Sequence, residues 1–235
     1  MRRSDEPARA LQPGPLTAML MLLALGSGAI DALSFAGLGQ VFTGVMTGNL
    51  VLLGLAAGQA RLAAAVRAGI AIAAYTVGAF AAAYWLRDTR PGDANPWPGR
   101  LTAALAAEAV AQAAVLARWL AGAGQPGPVA RDVLIALAAL AMSIQSTAVN
   151  ALSVSGAATT YFTGTLTALV SELATSGTPV TMRRRVAVLT AALAGAVLDA
   201  VLLTHARPAA AALPLAATLA VVVVTWPRGD RPYRA

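Results

Sequence analysis

Long apolar runs alternate with short clusters of Gly, Pro and Arg along most of the chain. The runs are hydrophobic all round rather than on one face, and at about 20 residues they match the roughly 30 Å of hydrocarbon in a bilayer. Apolar length and breaker residues predict eight helical segments. The first four are Leu16 to Phe35, Val41 to Ala57, Leu62 to Leu86 and Leu101 to Leu120. The second four are Val133 to Leu152, Thr160 to Thr175, Val186 to Thr204 and Ala209 to Trp226. The predicted fold is therefore all-α: a polytopic membrane helix bundle of about six full spans plus two short or re-entrant helices.

The two sets of four resemble each other. Asp31-Ala32-Leu33-Ser34 with Gly37, then Phe42-Thr43-Gly44 and Thr47, is echoed by Asn150-Ala151-Leu152-Ser153 with Gly156, then Phe162-Thr163-Gly164 and Thr167. An A-L-S match is cheap in so Ala-rich a chain, but F-T-G-x-x-T at the corresponding place downstream is not. The organisation read from this is a tail over 1–15, a first repeat over 16–121, a Gly/Pro linker over 122–130, a second repeat over 131–226 and a tail over 227–235. Arg2 and Arg3 ahead of Leu16 to Leu25 and Gly26-Ser27-Gly28-Ala29 imitate a secretory leader. Recurrence of the following residues in the second half assigns the segment to the fold instead.

The second segment of each set is the shortest, and reads as a full span or as a half-helix that stops in mid-membrane. With eight spans, Arg87, Arg90, Arg100 and Arg207 lie outside and the other thirteen arginines inside; with six, the split is twelve to five. Arginine counting does not choose between them, but both arrangements put the two termini in the cytoplasm. Six spans would make the halves inverted copies and eight would make them parallel ones. Trp85, Trp119 and Trp226 fall at segment ends, where amphipathic rings prefer the interface.

Composition narrows the function classes. Of 235 residues 58% are hydrophobic and 11% charged, against about a quarter charged in a soluble domain. The net charge of +7 sits between apolar runs rather than on one amphipathic face, so it reads as a topology signal and not as nucleic-acid binding. With no Cys and one His, His205, the chain offers no zinc or iron–sulfur ligand set, no thiol nucleophile and no evident Ser-His-Asp triad. No cofactor is expected and no catalytic residue stands out.

Candidate chemistry lies in the broken helices. Val41 to Leu50 carries Thr43, Gly44, Thr47 and Asn49, residues that weaken a helix and leave polar groups in hydrocarbon. A helix beginning near Thr43 would present free N–H groups and hydroxyls to an anion or a carbonyl. Thr163, Gly164 and Thr167 repeat the arrangement, and two such starts meeting near the midplane would form a solute site at the repeat interface. The alternative is that these small residues only let helices approach closely. Among ionisable residues in apolar segments, Asp31 is a candidate relay or a cap on the broken helix, with neutral Asn150 as its counterpart. Glu108 and Gln112 form an i, i+4 pair suited to interhelical bonding, and Asp199 is a further candidate. Glu172, near a segment end, and His205 are read as interfacial.

The pattern G-x-x-D-A-L followed by F-T-G-x-x-T-G-N-L-x-x-L-G resembles the YoaK-like family of bacterial membrane proteins (domain of unknown function 1275). Gln145 with Thr159-Thr160-Tyr161-Phe162-Thr163-Gly164-Thr165-Leu166 carries the likeness into the second half. Ser146-Thr147-Ala148-Val149 departs from the closer Q-N-A spacing of the family. The resemblance implies about six spans in the bacterial cytoplasmic membrane and no established activity. Three functions remain open: a small-solute transporter or channel, an accessory membrane subunit, and an intramembrane enzyme acting on lipid, for which no convincing catalytic pair is present. The transporter, not an enzyme, is the preferred reading. The expected partners are the lipid bilayer, an unknown small solute and, in a homo-oligomer, further copies of the chain.

Overall fold

The computed structural model describes residues 14–89, 97–154, 156–175 and 178–226. The tails over 1–13 and 227–235, with Arg90 and its neighbours, lie outside the described residues. Eight α-helices follow one another: α1 Pro15–Gly37, α2 Met46–Gly58, α3 Leu62–Leu86, α4 Gly99–Ala121, α5 Pro128–Ala151, α6 Phe162–Ala174, α7 Pro179–His205 and α8 Ala212–Thr225, with a 3₁₀ turn over Arg207–Ala209 before the last. No strand occurs among the described residues.

Six of these elements are long and apolar enough to cross a membrane, the last taken as Arg207–Thr225. The two short helices, α2 and α6, have 13 residues each, about 20 Å at 1.5 Å per residue and too short for some 30 Å of hydrocarbon. The expected six spans plus two short helices are therefore what the chain forms. Three helices begin with proline, at Pro15, Pro128 and Pro179, where the missing N–H costs nothing and φ is already helical. Two starts are several residues earlier than the apolar pattern placed them, Pro128 rather than Val133 and Pro179 rather than Val186. Their first two turns carry Arg131, Asp132 and Arg183 to Arg185, charges that end the apolar pattern without ending the helix.

Each first helix packs across the molecule. Helix α1 lies against α7 and α8, while α5 lies against α3 and α4; α4 meets α8, and α2 and α6 rest beside α3 and α7. The α1–α7 crossing is tight because both helices place glycine there: a Cβ on Gly28 would strike the Ala192 carbonyl oxygen, and one on Gly195 the Leu25 carbonyl oxygen. Without a hydrophobic drive between helices in lipid, such close approach supplies the dispersion contact that holds them. Leu20, Leu23, Leu105, Val149, Val188 and Val221 belong to one buried cluster, and Ile30, Leu33, Trp119, Leu134 and Met142 to another. Val77, Phe80, Leu193, Val197 and Val223 are exposed, the outward apolar surface that a bilayer covers. At the edge of the second cluster, Trp119 Nε1 donates to the Arg207 carbonyl at 2.9 Å and Arg207 Nε to that of Gly124 at 2.8 Å, tying the linker after α4 to the turn before α8.

Candidate functional site

The break after α1 is built around Asp31. Gly39 and Gln40 adopt left-handed backbone, at φ 111° and 62°, and the Gln40 N–H returns to the Phe35 carbonyl at 3.0 Å. The chain then doubles back beside α1. There a single oxygen, Asp31 Oδ1, accepts three hydrogen bonds: from the Thr43 N–H at 2.8 Å, the Thr43 hydroxyl at 3.0 Å and the Gly44 N–H at 2.8 Å. A Cβ on Gly44 would lie 3.1 Å from Asp31 Oδ2, so a larger residue there would push on the carboxylate.

Asn49, fully buried on α2, closes the same loop. Its Oδ1 accepts the Phe42 N–H at 2.9 Å, and its Nδ2 donates to the Phe42 carbonyl at 2.6 Å. Irregular backbone at membrane depth is tolerated only when its polar groups are satisfied, and Asp31 and Asn49 do that here. The helix starts at Met46 rather than near Thr43. The N–H groups expected to await an outside anion are occupied by the protein's own carboxylate.

The second half uses different residues from those the F-T-G triplets suggested. Gln145 Nε2 donates to Thr159 Oγ1 at 3.0 Å and to the Leu23 carbonyl of α1 at 3.2 Å, and Thr160 Oγ1 donates to Ser146 Oγ at 2.9 Å. Helix α6 follows Tyr161 at φ −104°, ψ 67°, as α2 follows Val45 at φ −107°, ψ 75°. Counted back from the helix starts at Met46 and Phe162, Thr43-Gly44 and Thr159-Thr160 hold like positions, four residues away from the letter match. Gln145 bonds to Thr159 across its turn as Asp31 bonds to Thr43 across the other. Asn150, Thr47, Thr163 and Thr167 are exposed. Thr167 bonds back to the Thr163 carbonyl at 3.0 Å, and a Cβ on Gly164 would meet the Tyr161 ring.

Aromatic side chains from both halves line one cavity. A cavity of about 420 Å³ is lined by Gly28, Asp31, Ala32 and Phe35 of α1, Phe42 of the return loop, Phe162 at the start of α6, and Leu189, Ala192, Leu193 and Ala196 of α7. Phe35 and Phe42 stack with ring centroids 4.9 Å apart and planes at 23°. The threonine sets anticipated at one pocket do not share it, for Thr43 is buried against Asp31 and Thr163 faces outward. Asn150 borders a separate cavity of about 290 Å³ with Tyr161, Gly164, Thr165 and Arg185, and Arg185 pairs with Glu172 at 3.1 Å. The residues whose place at the site sequence reasoning missed are Phe42, Phe162 and Thr159.

Glu108 and Asp199 lie away from that cavity. Gln112 Nε2 and Thr218 Oγ1 both donate to Glu108 Oε1, at 2.7 and 3.0 Å, joining α4 to α8 inside the protein. Asp199 is buried on α7, with neither carboxylate oxygen bonded to a described group. No group of three or more metal-ligating side chains occurs among the described residues.

The model of the family described as "Protein of unknown function (DUF1275)" matches residues 19–225. The UPF0700 transmembrane protein YoaK of Bacillus subtilis strain 168 is 33% identical over 155 residues, 66% of each chain, so this chain spans just under two thirds of that relative's length. No solved structure matches.

Proposed function

This chain belongs to the DUF1275 family, a YoaK-like family of multi-pass membrane proteins of unknown function, and from its site we propose that it moves a small solute across the bacterial cytoplasmic membrane without catalysing a reaction. The observation that carries the reading is the cavity lined by Asp31 and Phe42 of one half and Phe162 of the other, beside a loop tied to α1 by the protein's own carboxylate. Broken helices bounding a cavity between halves are how transporters place a solute site within the membrane.

The halves act as inverted copies with both termini in the cytoplasm. The exchange of partners supports this, α1 on α7 and α8 against α5 on α3 and α4, as does the odd number of long spans per half. The turns after α1 and α5 support it too: Gly39, at φ 111°, sits under the Arg67 side chain, and Gly156, at φ 76°, under Arg185. In this arrangement the two turns face opposite sides of the membrane.

The test is light-scattering of proteoliposomes challenged with a panel of neutral, cationic and anionic solutes. At least one solute should equilibrate faster than in protein-free vesicles, and Ala196→Phe, which fills the cavity, should remove the difference. Permeation equal in both proteins for every accelerated solute, or no acceleration at all, removes the reading.

A further inference from the structure

The cavity has one polar side chain, and it is a carboxylate. Asp31 is the sole polar residue of the lining, its surface is 91% covered (9% exposed), and its Oδ1 takes all three bonds from the loop. No hydrogen bond from a described residue reaches Oδ2. The ion pairs among the described residues join Arg87 to Asp88 and Arg185 to Glu172, and no arginine or histidine lines the cavity, so Asp31 has no basic partner there. The remaining wall is hydrocarbon and three phenylalanine rings.

Each solute class meets this wall differently. An anion is repelled by the carboxylate. A sugar or polyol finds a single acceptor for several hydroxyls, leaving the rest unpaired at about 1–3 kcal/mol each. A hard metal ion needs about six oxygens, and the cavity supplies one carboxyl group. A monocation with an apolar body satisfies every feature: its charge pairs with Asp31, its body fills the apolar wall, and the ring faces attract it by cation–π contact. Phe35 and Leu193 are also exposed on the outer surface, so the cavity borders the bilayer, where amphipathic cations concentrate.

Resting on the transport reading above, we propose that the solute is an organic monocation, an alkyl- or arylammonium, bound with its charge at Asp31 and its apolar body against Phe35, Phe42 and Phe162.

The experiment is equilibrium binding of radiolabelled benzyltrimethylammonium to the purified full chain in detergent, with neopentylbenzene, its neutral carbon isostere, as competitor. Binding should be saturable and resistant to the isostere. Asp31→Asn keeps an oxygen for the loop, so it should elute as the parent does and bind at least about tenfold more weakly, the loss of one desolvated charge pair. Phe42→Leu and Phe162→Leu should each weaken binding by roughly threefold or more, the size of a partly desolvated cation–π contact. Absence of saturable binding, or affinity unchanged in a well-folded Asp31→Asn, overturns the cation. If the proteoliposome panel still shows a solute whose flux Ala196→Phe blocks, the cavity stands and only its charge preference falls; if no such solute exists, the transport reading falls with it.

Discussion

Replacing Asp31 with alanine strands three donors at once. The Thr43 N–H, the Thr43 hydroxyl and the Gly44 N–H share Asp31 Oδ1 at 2.8 to 3.0 Å, and Thr43 is fully buried, so water does not replace the lost acceptor. A stranded buried donor costs about 1–3 kcal/mol in water-soluble proteins, and side-chain bonds between membrane helices average nearer 0.6 kcal/mol. Two backbone donors at the lower soluble value and one hydroxyl at the membrane value give a loss of about 2–3 kcal/mol. Asp31→Asn keeps an acceptor at the same place and should lose less than half of that. Thr43→Val should cost roughly 0.6 kcal/mol in the parent and nothing measurable in Asp31→Ala, because its partner is already gone. The assay is reversible denaturation in mixed micelles followed by circular dichroism, with amide exchange at Gly44 as local readout. Equal destabilisation by Asn and Ala, or a Thr43→Val cost that persists without Asp31, would refute this account of the loop.

Two other perturbations read different parts of the structure. Gly195→Val forces α1 and α7 apart at the Leu25 carbonyl and should lower the melting temperature in detergent by several degrees. Gly54→Ala, with nothing within 4 Å of its Cβ, should leave it unchanged; equal effects would contradict the tight crossing. The native chain has no cysteine, so single-cysteine variants report topology without background. Gln59→Cys and Gln125→Cys, both on exposed turns, should react with a membrane-impermeant maleimide applied outside intact cells, whereas eight spans would place both inside.

The spans were legible because hydrocarbon selects on length and apolarity alone, which is why Leu62–Leu86 was read residue for residue. The starts at Pro128 and Pro179 were not, because apolar counting stops where Arg131 and Arg183 to Arg185 stand, although the helix continues there with Arg131 bonded to the Pro126 carbonyl and Arg185 paired with Glu172. At the site, Asp31 and Asn49 stood out as polar groups in an apolar run. Their roles did not follow from that, since Oδ1 bonds to residues 12 positions away only once the loop doubles back. The F-T-G triplets did not show which threonines the turns bury, because letters alone do not locate the helix start: Thr43 and Thr159 each lie three residues before one and are buried, whereas Thr163 lies inside its helix and is exposed. Phe42 and Phe162 carried no signal of their own, as phenylalanine is ordinary in a membrane span, and that both line one cavity is a property of the packing of α1 against α7.

On the proposed transport, solute passes through the cavity bounded by Asp31, Phe42, Phe162 and Ala196. The most direct test is proteoliposome flux through Ala196→Cys before and after N-ethylmaleimide, using the solute the panel identifies, with the cysteine-free parent as control. The account predicts that the reagent reduces flux in Ala196→Cys to the level of protein-free vesicles, leaves the parent untouched, and reacts more slowly when saturating solute is present. Full modification of the cysteine with flux unchanged would contradict it.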